Sequence, residues 1–167
     1  HDSVAFAFDS AENIAAAFAG RKPSHSYSRI TNPTVAAFES SLAGVAGAQT
    51  VLALSSGMAA IANTVMALCS AGDSIIASPL LFGNTRSLFD CTLARWGLTV
   101  RYVDLSEPAS IAKAVDKTTR FVFFETISNP QLAVYDIKSV ADEAHRLGLA
   151  VVADNTAATP FLFFAKS

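Results

Sequence analysis

Leu149-Ala150-Val151-Val152-Ala153-Asp154-Asn155-Thr156 is the stretch on which the reading of this chain turns. A short apolar run of strand length carries a carboxylate to its C-terminal end. In open α/β sheets, ligands bind in the crevice beyond the carboxyl ends of the strands, so a side chain at that tip faces the place where chemistry is done. Asp154 and Thr156 could instead do no more than cap the loop that follows. A second site about a hundred residues upstream weighs against that simpler use.

Outward from Asp154, the chain repeats one pattern. Helical periodicity predicts helices over 11–19, 34–44, 57–71, 84–96, 109–115 and 137–147. Apolar runs of strand length predict strands over 50–54, 74–77, 99–103 and 120–125, and a last strand that ends at Asp154. Gly20 to Asn32 is polar, carries Arg21, Lys22, His25, Tyr27 and Arg29, and reads as a loop. Strands that alternate with helices and are apolar throughout imply a mostly parallel sheet with helices on both faces, a three-layer α/β domain. At 167 residues with 51% apolar side chains, the chain suffices for one such core.

Composition removes several function classes. The formal charge is −2, from 12 basic and 14 acidic residues with no Lys/Arg run, so there is no electrostatic footprint for nucleic acid. A small-molecule partner is expected. Ser40 to Gly72 carries no charged residue, but Ser55-Ser56-Gly57 and Asn63 interrupt it, and it reads as strand, turn and buried helix rather than a membrane span. Cys69 and Cys91 show no CxxC and no metal-ligand spacing; they read as buried free thiols of a reducing compartment, and a cytoplasmic location is expected. The sequence opens at His1 without the charged-then-apolar order of a signal peptide, so the natural N-terminus is expected upstream.

The upstream site is Ser55-Ser56-Gly57-Met58, where the strand over 50–54 turns into the helix over 57–71. The first N–H groups of that helix point toward the C-terminal edge of the sheet. Glycine lets a ligand approach the backbone, serine adds a donor, and the helix dipole favours an anion, a combination suited to one phosphate. An ordinary serine N-cap would look the same in isolation. Neither GxGxxG nor GxxxxGK[ST] occurs, which argues against a dinucleotide or a nucleoside triphosphate. A phosphate at one strand tip and a lone carboxylate at another suit pyridoxal 5′-phosphate, whose ring nitrogen needs an acidic partner.

Four runs in order carry a resemblance. Tyr27-Ser28-Arg29-Ile30-Thr31-Asn32-Pro33-Thr34, Ser55-Ser56-Gly57-Met58-Ala59-Ala60, Glu125-Thr126-Ile127-Ser128-Asn129-Pro130 and Asp154-Asn155-Thr156 together resemble the Cys/Met-metabolism family of pyridoxal-phosphate enzymes. The resemblance covers essentially the whole chain. It implies an aspartate-aminotransferase-like fold of type I, here the incomplete large domain: an N-terminal segment over 1–33 with a helix and an inter-subunit loop, then the cofactor domain over 34–167, with the smaller C-terminal domain absent.

The resemblance also implies roles. Gly57 and Met58 give backbone N–H groups to the cofactor phosphate, Asp154 pairs with the ring nitrogen, Asn129 lies near the phenolic oxygen, and Thr156 supports the pocket. Tyr27 and Arg29 reach the phosphate of a neighbouring subunit, so a complete site needs a dimer and the whole enzyme is expected to be a tetramer. Arg29 suits this as a forked donor, although alone it would read as a solvated loop arginine. Where many members stack a tyrosine on the ring, this chain has Phe82, which keeps the π-face and lacks the hydroxyl; by itself it would pass for a core phenylalanine.

Phe82 together with the run from Glu125 to Leu132 looks most like the O-acetylhomoserine sulfhydrylase branch. That branch implies γ-replacement on the ester with sulfide or a thiol, giving homocysteine or methionine. A γ-lyase or cystathionine enzyme of the same family, and a cofactor-domain fragment without catalysis, are the alternatives. The lysine that would hold the cofactor is expected later than this sequence extends, so no catalytic residue is assigned. Lys166 lacks the Ser/Thr-rich run that precedes that lysine and reads as a surface residue. No metal site is expected.

Overall fold

The computed structural model describes residues 1–163 as two compact units, 1–53 and Leu54–Phe163. Lys166 lies outside the described residues.

Local chemistry sets the helices of the first unit. Helix α1 (Ala11–Phe18) starts where the Ser10 hydroxyl accepts the Asn13 N–H at 3.2 Å. Helix α2 (Pro33–Ala46) starts at Asn32, whose side chain accepts the Thr34 N–H at 2.8 Å, with Pro33 in the first turn where its missing N–H costs nothing. Between them the predicted loop folds back on the N-terminal residues: Tyr27 forms an antiparallel bridge with Ala5, and Ser28 N–H donates to the Val4 carbonyl at 2.9 Å.

The strand predicted over 50–54 is not formed. An apolar run signals burial but does not name its neighbour, and this one has no ladder among the described residues. Leu52 is 75% exposed, and the Ala53 N–H is taken by a Glu39 carboxylate oxygen at 2.7 Å.

The second unit holds the sheet. Helix α3 (Gly57–Leu68) leads to β1 (Ser74–Ala77), followed by α4 (Gly83–Ser87), a π-helical turn (Leu88–Leu93), α5 (Ala94–Trp96) and β2 (Thr99–Tyr102). Then come α6 (Ser110–Ala114), β3 (Thr119–Glu125), α7 (Ile137–Arg146), β4 (Ala150–Asp154) and α8 (Thr159–Leu162). All pairings are parallel, in the order β2-β1-β3-β4.

Alternation along β1 and β3 splits the core in two. Ile75, Ala77, Phe121 and Phe123 face Val65 of α3 with Phe89 and Leu93 of the π turn; Ile76, Val122 and Phe124 face Ile111 of α6 with Val140 and Ala144 of α7. This is the predicted three-layer arrangement. Phe89 meets Phe123 edge to face at 5.2 Å, so the strand face and the helical run are fitted to each other as well as buried. Gly97 ends α5 at φ +105°, where a Cβ would also stand 3.2 Å from the Ala71 Cβ, so glycine is required twice over.

An ionic cluster ties the helical run to β2. Asp90 accepts from Arg86 Nε at 2.5 Å and from the Tyr102 hydroxyl at 2.7 Å, while the Arg86 guanidinium lies 3.7 Å from the Tyr102 ring centroid. Burial and the bond to Asp90 push the Tyr102 phenol well above its ordinary range. The two cysteines part company: Cys69 is buried as expected, whereas Cys91 is exposed, because the π turn directs Phe89 and Leu93 to the core and leaves the position between them outside. Among the described residues no helix is long and apolar enough to cross a membrane.

Candidate functional site

The chain leaves β1 for β2 by way of α4, on one face of the sheet, and leaves β3 for β4 by way of α7, on the other. Between β1 and β3 the strand order therefore reverses, which opens a crevice beyond the strand ends. A cleft of about 360 Å³ lies there, within the usual range for small-molecule sites. Its walls include Gly57, Met58, Phe82, Asn129, Asp154 and Thr156, six residues spread over a hundred positions of sequence. Tyr27 and Arg29 belong to the first unit, where the guanidinium of Arg29 lies 5.1 Å from the Tyr27 ring centroid.

Each wall has a local cause. Ser56 caps α3 by accepting the Ala59 N–H at 3.1 Å, and its carbonyl accepts the Ala60 N–H at 3.0 Å. The N–H groups of Gly57 and Met58 come before those bonds and have no acceptor among the described residues. Beyond its neighbours in α3, a Cβ placed on Gly57 would meet no atom of the described residues within 4 Å, so packing among them does not demand glycine at this position.

Asp154, at the tip of β4, is held through one oxygen only. Its Oδ1 accepts the Thr156 N–H at 2.9 Å and the Thr156 hydroxyl at 2.5 Å. Oδ2 has no donor among the described residues and remains available to a ligand. Capping of the loop thus occupies one oxygen of Asp154 and leaves the other uncommitted among the described residues.

Glu125, Thr85 and Ile61 are among the wall residues not singled out from the sequence. Glu125, 4% exposed at the tip of β3, accepts the Phe82 N–H on Oε1 at 2.5 Å and the Asn129 N–H on Oε2 at 3.1 Å. Burial pushes its carboxyl above the usual range, the two amides pull it back, and the charge of Asp154 adds to the rise. Thr85 is 1% exposed, and its buried hydroxyl has no partner among the described residues, an unmet polar atom on a residue of the cleft wall. Ile61 supplies apolar surface from α3. A buried acid at a strand end was the available signal for Glu125; nothing in the sequence distinguishes Thr85.

Comparison with known proteins settles the family. The family model described as "Cys/Met metabolism PLP-dependent enzyme" matches residues 1–165. The chain belongs to this family. An O-acetyl-L-homoserine sulfhydrylase of Corynebacterium glutamicum is 44% identical over 163 residues, 97% of this chain and 37% of that protein. An L-methionine gamma-lyase of Pseudomonas deceptionensis is 41% identical over 158 residues, 94% of this chain and 40% of that protein. A crystal structure named for an O-acetylhomoserine (thiol)-lyase of Campylobacter jejuni, with N′-pyridoxyl-lysine-5′-monophosphate, superposes with a TM-score of 0.91 at 34% identity, over 96% of this chain and 40% of that one. The chain thus spans about two fifths of the length of these relatives.

The walls fit the family's cofactor. Two unpaired N–H groups at a helix N-terminus suit a phosphate, one free carboxylate oxygen suits a protonated ring nitrogen, and the orphaned Thr85 hydroxyl marks a surface not yet satisfied by protein alone.

Proposed function

We propose that this chain forms the pyridoxal 5′-phosphate site of an enzyme of sulfur amino-acid metabolism, one that replaces the acetyl ester group of O-acetylhomoserine with sulfide or a thiol. The observation that carries the reading is the shared cleft: the free amides of Gly57 and Met58 and the free Oδ2 of Asp154 line a single space of suitable size.

When bound, the cofactor's protonated ring supplies an electron sink for carbanions formed on the amino acid. The chain's own residues make that possible. Gly57 and Met58 hold the phosphate with backbone N–H groups and the positive end of α3. Asp154 keeps the proton on the ring nitrogen, and Thr156 fixes the carboxylate by occupying its other oxygen. Asn129 serves the phenolic oxygen, and Phe82, 42% exposed at the cleft, stacks on the ring. Tyr27 and Arg29 serve the phosphate in a second copy of the chain, so the working unit is at least a dimer.

Replacement is favoured over elimination by Phe82, which offers no hydroxyl for proton transfer. The test is turnover by the full-length protein. O-acetylhomoserine with sulfide should yield homocysteine and acetate in equal amounts. Breakdown of methionine to a thiol, ammonia and a keto acid at a comparable rate would move the assignment to the γ-lyases.

A further inference from the structure

We propose that Glu125 is a positioning residue that aligns Phe82 and Asn129 around the ring of the bound ligand; this rests on the pyridoxal-phosphate reading above. Phe82 and Asn129 sit in different loops, one after β1 and one after β3. Their backbones are joined through a single carboxylate, with Phe82 N–H on Oε1 and Asn129 N–H on Oε2. The Phe82 N–H comes before the first intrahelical bond of α4, Arg86 N–H to the Phe82 carbonyl, so its acceptor has to come from outside the helix.

The carboxylate is also well placed to transmit order. Glu125 is 4% exposed, lies in parallel register with Asp154, and lines the same cleft as the two residues it ties. In a parallel pair, residues in register point to one face, so the clamp and the ring-nitrogen partner share a floor. Buried hydrogen bonds to a carboxylate are stronger than those between neutral groups, and cutting the acceptor leaves two N–H groups to find other partners. Glu125 touches no reacting atom in this scheme. It acts through the aromatic ring and the carboxamide that its bonds hold in place.

The experiment compares the full-length holoenzyme with Glu125→Gln and Glu125→Ala. Three quantities are read: amide hydrogen exchange at Phe82 and Asn129, the visible circular dichroism of the bound cofactor, and the dissociation constant for pyridoxal phosphate. In Glu125→Ala both amides should exchange at least about tenfold faster, the dichroism should fall by about half or more, and the dissociation constant should rise about tenfold. Glu125→Gln keeps one acceptor oxygen, so one amide should stay protected and the dichroism should lie between the other two. A folded Glu125→Ala with wild-type dichroism and affinity would overturn the proposal. Should that variant not fold, Glu125→Gln decides: unchanged exchange at both amides and unchanged dichroism sink the idea. Wild-type protein that takes up no pyridoxal phosphate would overturn the cofactor reading itself, while amide exchange in Glu125→Gln still reports on the clamp.

Discussion

Glu125 and Asp154 stand side by side at the ends of neighbouring parallel strands, yet one carboxyl is closed and the other is open. Both oxygens of Glu125 accept backbone N–H groups, whereas Asp154 has committed only Oδ1. Burial raises the affinity of Glu125 for its proton, so the open acid is the better partner for a cation in the cleft.

Asp154→Asn is expected to keep the turn to Thr156, since the side-chain oxygen can still accept that N–H, but to lose the negative charge. Activity of the full-length enzyme should fall by about 100-fold or more, the scale of removing a group that stabilises developing charge. Steady-state kinetics beside a melting curve tests this; a variant of normal activity would show that Asp154 has no part in the ring chemistry.

Gly57→Ala separates folding from binding. Beyond the neighbouring residues of α3 itself, no described atom lies within 4 Å of the added Cβ, and alanine loses less backbone freedom on folding than glycine, so the melting temperature should hold or rise. The methyl group intrudes where the phosphate would approach the backbone, so affinity for pyridoxal phosphate should drop about tenfold. Equilibrium titration with the cofactor measures it, and unchanged affinity would place the phosphate elsewhere.

The two thiols should differ in reactivity. Cys91 is exposed and should react promptly with a thiol reagent, while Cys69 should react only on unfolding. Burial, reinforced by Asp73 and opposed by Arg120, pushes the Cys69 thiol up to about 11 from an ordinary value of 9.0. A raised value means that the fold prefers the protonated thiol, so this contribution to stability is complete below about pH 9 and is lost as the pH climbs toward about 11. Urea denaturation across that interval, with Cys69→Ala as the control, reads the effect; equal pH dependence in both proteins would refute it.

Phe123→Ala should cost about 3–5 kcal/mol of stability, because the residue is 1% exposed and loses its edge-to-face partner Phe89. Chemical denaturation of the longer protein is the measurement, and a loss below about 1 kcal/mol would mean that the core collapses to fill the gap.

Much of the fold was legible because its signals are local. Ser56 before Gly57, the helical period over 34–44 and the apolar run at 120–125 act within a few residues of themselves, and the structure starts or buries those elements accordingly. The run over 50–54 misled for the same reason. Its apolar pattern is as good as that of β1, but a strand exists only through hydrogen bonds to a neighbour, and periodicity carries no information about which neighbour is present. Cys91 escaped in a similar way: one extra residue in the π turn rotates the helix face, and helical spacing read from sequence assumes a uniform turn.

From sequence alone came the alternation of strands and helices, the capped helix start at Ser56 and Gly57, the carboxylate at a strand tip, and the family that their order and spacing resemble. All of these depend on residue type and short spacing. Only the tertiary structure decided that Asp154 keeps one oxygen free, that Glu125 joins the loops of Phe82 and Asn129, and that Thr85 hides an unmatched hydroxyl. Those facts arise from residues tens of positions apart meeting at the ends of β1, β3 and β4. The register of the sheet sets the meeting, and no local pattern in the chain encodes it.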